Sequence, residues 1–285
     1  MVEDEMHDKS QHDGLEPISA EEKAVLDLVS GGEWLKYARV AMAALSSLPW
    51  VGSLIGAVAS FSGENTEQST SRAMYMWVKV HEEKLTEVSL ALQEMFARFE
   101  SFGQRIEDRV NSEEYMSLVR KTFTQWDHAE TAEKKDMLRR LLTNAGGLSI
   151  AQDDLVRMFL DWIDTYHEFH FAVIGEIYRY PGITRRQIWT NLRGSVPRDD
   201  SEDADLFRLL IHDLSTGRVI RQERQTDYYG QFVKQQPQRR GGQSSGVYES
   251  AFEATKPYEL TALGKQFVHY VMTDLATAIG GTTSS

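Results

Sequence analysis

Four groups of residues in this sequence have types and spacings that could do chemistry. The densest is acidic: Asp199, Asp200, Glu202, Asp203 and Asp205. As a calcium loop it needs a glycine at its sixth position and a bidentate glutamate at its twelfth, where Ala204 and Leu210 stand. Acids opening a helix, where they complement its dipole, explain the run better. His167 and His170 flank Glu168, but they are not the i, i+4 pair of a metalloprotease helix, so they read as surface histidines. The stretch from Arg239 and Arg240 through Gly241 and Gly242 to Gly246 lacks the Lys-Ser/Thr ending of a phosphate loop. Its serines also lack a nucleophile-elbow frame. The chain has no cysteine, hence no thiolate metal site or cysteine nucleophile. No catalytic residue, metal site or cofactor is expected, and the chain reads as a non-enzyme.

The remaining chemistry is basic. Arg185, Arg186, Arg193 and Arg198 lie on one side of the acidic run, and Arg221, Arg224, Lys234, Arg239 and Arg240 on the other. Such a set can grip a phosphate backbone or an acidic protein, or can simply be a solvated loop. Arg185, Arg186, Arg221, Arg224, Arg239 and Arg240 are the candidate contacts. Net charge is −12 and unevenly spread: residues 1–165 hold 17 Lys/Arg against 29 Asp/Glu, whereas residues 166–285 hold 14 of each. An acidic front half repels a polyanion, so any nucleic-acid contact belongs to the back half.

The elements that position these residues read as follows. Phe171, Val173, Ile174, Ile177 and Tyr178 mark a helix stopped by Pro181-Gly182. Thr184 with Gln187 is a capping box opening a short helix through Ile188, Trp189 and Leu192. A third helix runs from Asp203 to Ser215 with Gly217 as its stop, followed by a strand at 218–221 and a polar, glycine-rich loop. Residues 256–271 return as a strand and a long helix. Three helices, a two-stranded wing and a closing helix entered through Tyr258, Leu260, Thr261 and Gly264 resemble the winged-helix domains of bacterial transcription regulators. The resemblance covers about residues 166–274. It implies a domain that binds DNA or docks a protein, since winged helices serve both ends. The acids at the start of the third helix depart from that pattern, because the same end of a recognition helix would enter the major groove.

The front half reads as a helical bundle. Residues 1–18 form an acidic tail, and Ser19 with Glu22 is a capping box for a short first helix. No charged residue occurs between Arg39 and Glu64. That run reaches the length of a membrane span, about 20 residues, yet it contains Pro49, Gly52 and Gly56. A buried helical hairpin over 40–63 is the leading reading. A membrane-seeking element carried by Trp50, Leu54 and Ile55 is the other. Met74, Val78, His81, Leu85, Val88, Leu92, Met95, Phe99, Phe102 and Ile106 alternate four-three spacing, a heptad seam on a coiled-coil-like helix over 67–109. Trp77, Ala91 and Phe96 widen that face beyond a simple dimer seam. Part of it could still receive a second chain. Three further helices, through Trp126, Leu142 and Trp162, cover it. Residues 128–147, with 49–57 before them, resemble helical proteins of bacterial abortive-infection loci. That resemblance implies a role in phage defence and carries over no functional residue.

The expected architecture is thus mainly α: a bundle over 19–165, a winged helix over 166–274 and a flexible tail over 275–285. The expected function is a cytoplasmic interaction protein that assembles with itself or a partner and docks another protein through its winged helix. A DNA-binding regulator and a membrane-active effector using 40–63 are the alternatives. Prolonged apolar character at the N-terminus is missing, so no secretory signal is expected.

Overall fold

A computed structural model describes residues 35–52, 72, 75–103, 105–147, 152–223 and 250–272. The acidic tail, the Ser19 capping box, Leu54, Ile55, Met74, Arg224, Arg239 and Arg240 lie outside the described residues. Over the described residues the protein is mainly helical with one small antiparallel sheet. It divides into two compact units, Met1–Ala97 and Arg98–Ser285.

In the first unit a 3-10 turn, Leu35–Tyr37, leads into α1, Ala38–Ser46. Small side chains let α1 bury most of its circumference: Ala38, Val40, Ala41, Ala43, Ala44 and Leu45 are all buried. The helix stops before Pro49, and helical backbone resumes over 49–52, where a proline's missing N–H costs nothing. Leu48 and Val51 are buried on that second turn. Helical residues 75–80 continue into α2, Glu82–Phe102, because the His81 N–H donates to the Trp77 carbonyl (3.0 Å) and the Leu85 N–H to the His81 carbonyl (2.8 Å). His81, the polar member of the seam, stacks on Trp50 (5.3 Å) and meets Trp77 at a tilt (4.7 Å) in a three-ring cluster, and its Nδ1–H donates to the Trp77 carbonyl (2.9 Å). Tyr37 stacks on Phe96 at 5.0 Å. Among the described residues no helix is long and apolar enough to cross a membrane.

The helix expected over 67–109 ends earlier. Gly103 takes φ +72°, which an L side chain adopts only with strain, and the chain restarts as α3, Arg105–Val110. The heptad spacing carries on from Phe99 through Phe102 to Ile106, so the hydrophobic period alone hides the break. Leu85, Val88, Leu92, Met95, Phe99 and Ile106 are buried, whereas Val78, His81 and Phe102 are half-buried.

In the second unit α4 (Glu113–His128), α5 (Ala132–Gly147) and α6 (Asp153–Thr165) pack on one another. Ser112 caps α4 by accepting from the Tyr115 N–H. The Tyr115 hydroxyl donates to the Leu142 carbonyl (2.9 Å), and burial pushes that phenol well above its usual range, so it stays a neutral donor. Arg109 and Asp153 pair across α3 and α6. Then follow α7 (Glu168–Arg179), β1 (Ile183–Thr184), α8 (Arg185–Arg193), α9 (Glu202–Thr216), β2 (Ile220–Gln222), β3 (Pro257–Leu260) and α10 (Ala262–Phe267). A π-helical turn, Val268–Met272, extends α10. The sheet order is β1-β3-β2, so the two strands expected from sequence acquire a third, two-residue partner. Phe159 of α6 meets Phe267 (5.4 Å) and Tyr270 (6.2 Å), and the Asn144 amide donates to the Tyr270 carbonyl (2.6 Å). The closing segment is therefore anchored on α5 and α6.

Candidate functional site

The arginine-lined groove is assembled from the start of α8, the middle and end of α9, and the strands β2 and β3. The capping box expected at Thr184 and Gln187 forms, so α8 begins with Arg185. Arg185 Nε–H donates to the Tyr258 hydroxyl (2.9 Å) and its guanidinium lies 5.4 Å from that ring's centre. Tyr258 is buried on β3 opposite Gln222, whose amide also donates to the same hydroxyl (3.2 Å). On β2, Arg221 faces Glu259 across the strand pair and donates to it (2.7 Å). α9 contributes Arg208, Leu209 and His212 from its solvent side, and Arg218 follows its end. Together these residues line a groove of about 740 Å³. None of the described residues lining it is acidic.

Arg218 sits in unusual backbone. It has φ +59°, and it is the only non-glycine with positive φ among the described residues. A left-handed residue just after a helix is normally glycine, and here the preceding Gly217 is right-handed instead. A Cβ on Gly217 would lie 2.1 Å from the Tyr166 hydroxyl oxygen, so a side chain there must displace the Tyr166 ring. Two clasps hold Arg218 in place. The Val219 N–H donates to the Leu214 carbonyl (2.9 Å), and the Thr261 hydroxyl donates to the Arg218 carbonyl (2.6 Å). Thr261 also caps α10 by accepting from the Gly264 N–H (3.0 Å), so the Tyr258-to-Gly264 motif fixes both Tyr258 and Arg218. No carboxylate pairs with Arg218 among the described residues.

The acidic run lies beside the groove and is largely engaged. Asp199 Oδ1 accepts from the Ala251 N–H (3.0 Å) and the Ser250 hydroxyl (2.9 Å), tying the α8–α9 connection to the approach to β3. Arg208 donates to Asp205 (2.8 Å) and to the Asp199 carbonyl (3.0 Å); Arg198 pairs with Asp200. Ser201 caps α9, and Glu202, Asp203 and Asp205 occupy its first turn. Beneath, buried Glu176 of α7 accepts from Asn191 (2.8 Å) and Arg179, locking α7 against α8.

Of the arginines singled out from sequence, Arg185 and Arg221 come together in the groove. Arg186 is exposed outside it, with its N–H donating to the Glu253 carbonyl (3.3 Å). Arg208, His212 and Arg218 were not singled out, and Tyr258 was named only for the turn that enters the closing helix. Arg208 and His212 share one helix face by i, i+4 spacing, a legible signal, whereas Arg218's role depends on a backbone conformation that spacing does not reveal.

His170 proves to be buried, not a surface residue: it is 4% exposed. Its Nδ1 accepts from the His167 N–H (3.1 Å), so the proton is on Nε2, 3.5 Å from Asp213 Oδ2, and Tyr166 stacks on the ring at 5.0 Å. Burial holds its pKa below the ordinary histidine value, with Asp213 opposing. The unfolded chain therefore takes up this proton more readily than the folded one. Its contribution to stability is complete above about pH 6.5 and declines as pH falls below that. Melting temperature should drop between pH 7 and pH 5, and His170→Gln should flatten that drop; equal slopes in parent and variant would contradict the assignment.

Comparison with known proteins adds no family to this geometry: no family model, no curated protein and no solved structure matches the chain.

Proposed function

We propose that the chain is a non-enzymatic docking protein, whose winged-helix-like region over 168–272 receives a compact anionic group of a partner protein in the arginine groove. The observation that carries this reading is the groove's lining: Arg185, Arg208, Arg218 and Arg221 around Leu209 and Tyr258, with no acid among the described lining residues. Guanidinium groups stay protonated at any working pH, so they hold charge and do not shuttle protons. The order α7–β1–α8–α9–β2–β3 supports the winged-helix comparison. The acids at the start of α9 weigh against duplex DNA, which carries one charge per about 1.7 Å of axis and would run over them.

The test uses fluorescence anisotropy with a labelled heptapeptide carrying two glutamates around a leucine, beside a labelled 20-base-pair duplex. Salt-sensitive peptide binding is expected, weakened by Arg185→Ala together with Arg221→Ala. A duplex footprint that persists at physiological salt and is lost in that double variant would replace docking with DNA regulation.

A further inference from the structure

We infer that the anionic group received by the groove is a phosphorylated side chain of the partner protein; this rests on the docking reading above. Three features of the site separate phosphate from the other anions that arginines bind. The first is charge concentration. Arg185, Arg208, Arg218 and Arg221 reach one groove from α8, α9, the α9–β2 turn and β2. Two of them already satisfy carboxylates with part of their donors: Arg208 with Asp205 and Asp199, and Arg221 with Glu259. Arg218 has no such partner among the described residues. A carboxylate brings one charge and two oxygens, whereas a phosphoryl group brings about −1.5 to −2 and three acceptor oxygens to a single point. Clustered guanidiniums match the latter.

The second feature is the rim. Asp199 and Asp205 contact Arg208 of the groove, and Glu202 and Asp203 share the first turn of α9 with Asp205. An extended polyanion, whether a duplex or a long acidic tract, must pass these carboxylates. A localised dianion reaches the arginines without doing so. The third is an apolar edge beside the charge. Tyr258 is 2% exposed and has the Arg185 guanidinium over its ring, so the ring face that the described lining leaves open is the exposed His212 imidazole. A free nucleotide shares the phosphate chemistry and is separated from a peptide by competition. Leu209, 54% exposed at the edge, offers an apolar contact to a residue flanking the phosphate in a peptide.

Arg218's backbone adds a separate reason to assign it a ligand. A left-handed arginine is unfavourable where glycine would fit without strain. The chain nonetheless places a long cation there, clasped by Thr261 and directed to the groove. Arg218→Gly therefore separates folding from binding: it relieves the backbone while deleting the cation.

The experiment measures anisotropy of the labelled heptapeptide in three forms, with phosphoserine, serine or glutamate at its centre, using the full chain. Adenosine monophosphate and a 20-base-pair duplex serve as competitors. The phosphoserine form should bind at least tenfold more tightly than the glutamate form. Arg218→Gly should weaken it tenfold or more while melting at or above the parent temperature, and Arg186→Ala, with the same charge change outside the groove, should stay within twofold. Adenosine monophosphate should compete no better than free O-phosphoserine. Equal affinity for the phosphoserine and glutamate forms would overturn the phosphate inference and leave the docking reading standing. Failure of every peptide to bind, or binding indifferent to Arg218→Gly, would overturn both. Displacement of the phosphopeptide by the duplex at far lower concentration would assign the groove to nucleic acid.

Discussion

Gly264→Ala should cost the second unit about 3 kcal/mol or more, the upper range for overpacking a core. A Cβ at that position would lie 2.1 Å from the Val219 carbonyl oxygen. That oxygen cannot swing aside as a side chain would, because it belongs to the backbone entering β2 and accepts from the Thr261 N–H (3.0 Å). Relief requires α10 to withdraw, which loosens Thr261 from the Arg218 carbonyl and pulls Phe267 from its place beside Phe159. Urea denaturation followed by far-ultraviolet circular dichroism reads the loss. A variant with the parent's midpoint would show that α10 does not sit this close to β2.

Leu45→Asp should be comparably damaging in the first unit, at roughly 3–5 kcal/mol, because an unpaired carboxylate would be buried there. Leu45 is fully buried and Val40, Ala41 and Ala44 around it are nearly so. The uncharged run beginning at Val40 thus buries Val40, Ala41, Ala43, Ala44, Leu45, Leu48 and Val51 over its described part, while Ser46 and Pro49 stay exposed. The readout is tryptophan emission, since Trp50 and Trp77 stack with His81 in the same unit. Unchanged emission and an unchanged melting curve would mean that α1 is exposed in solution.

These two sites differ in how far the sequence alone could have found them. The Val40 run announced a buried helix through its missing charges, and Pro49 correctly marked where its first helix must stop. Capping chemistry was equally readable: Thr184 with Gln187 opens α8, and Gly217 ends α9. Both signals are local, decided by a few neighbouring residues. The break at Gly103 was not readable from periodicity, since the apolar spacing continues across it and only the backbone angle betrays it. β1 was missed because two residues carry no alternation to detect.

The groove follows the same division. Arg185 and Arg221 were legible as a basic pair around an acidic run. That they meet, and that Arg208 and Arg218 join them, depends on β3 lying between β1 and β2 and on α9 stopping beside β2. The acidic run itself was legible as a helix opening. Its second task was not, because Asp199 holds Ser250 and Ala251, some fifty residues further along the chain. His170 was read as a surface residue because a histidine's burial depends on what packs over it, here Tyr166 and the end of α9.

The proposed anion-receiving groove of four arginines is tested most directly by nuclear magnetic resonance of the arginine Nε–Hε groups in ¹⁵N-labelled protein. Adding the phosphoserine heptapeptide should shift Arg185, Arg208, Arg218 and Arg221 together, along one saturable curve, and leave Arg186 and Arg193 in place. Shifts confined to Arg186 and Arg193, or no saturable shift in any of the four, would contradict the account.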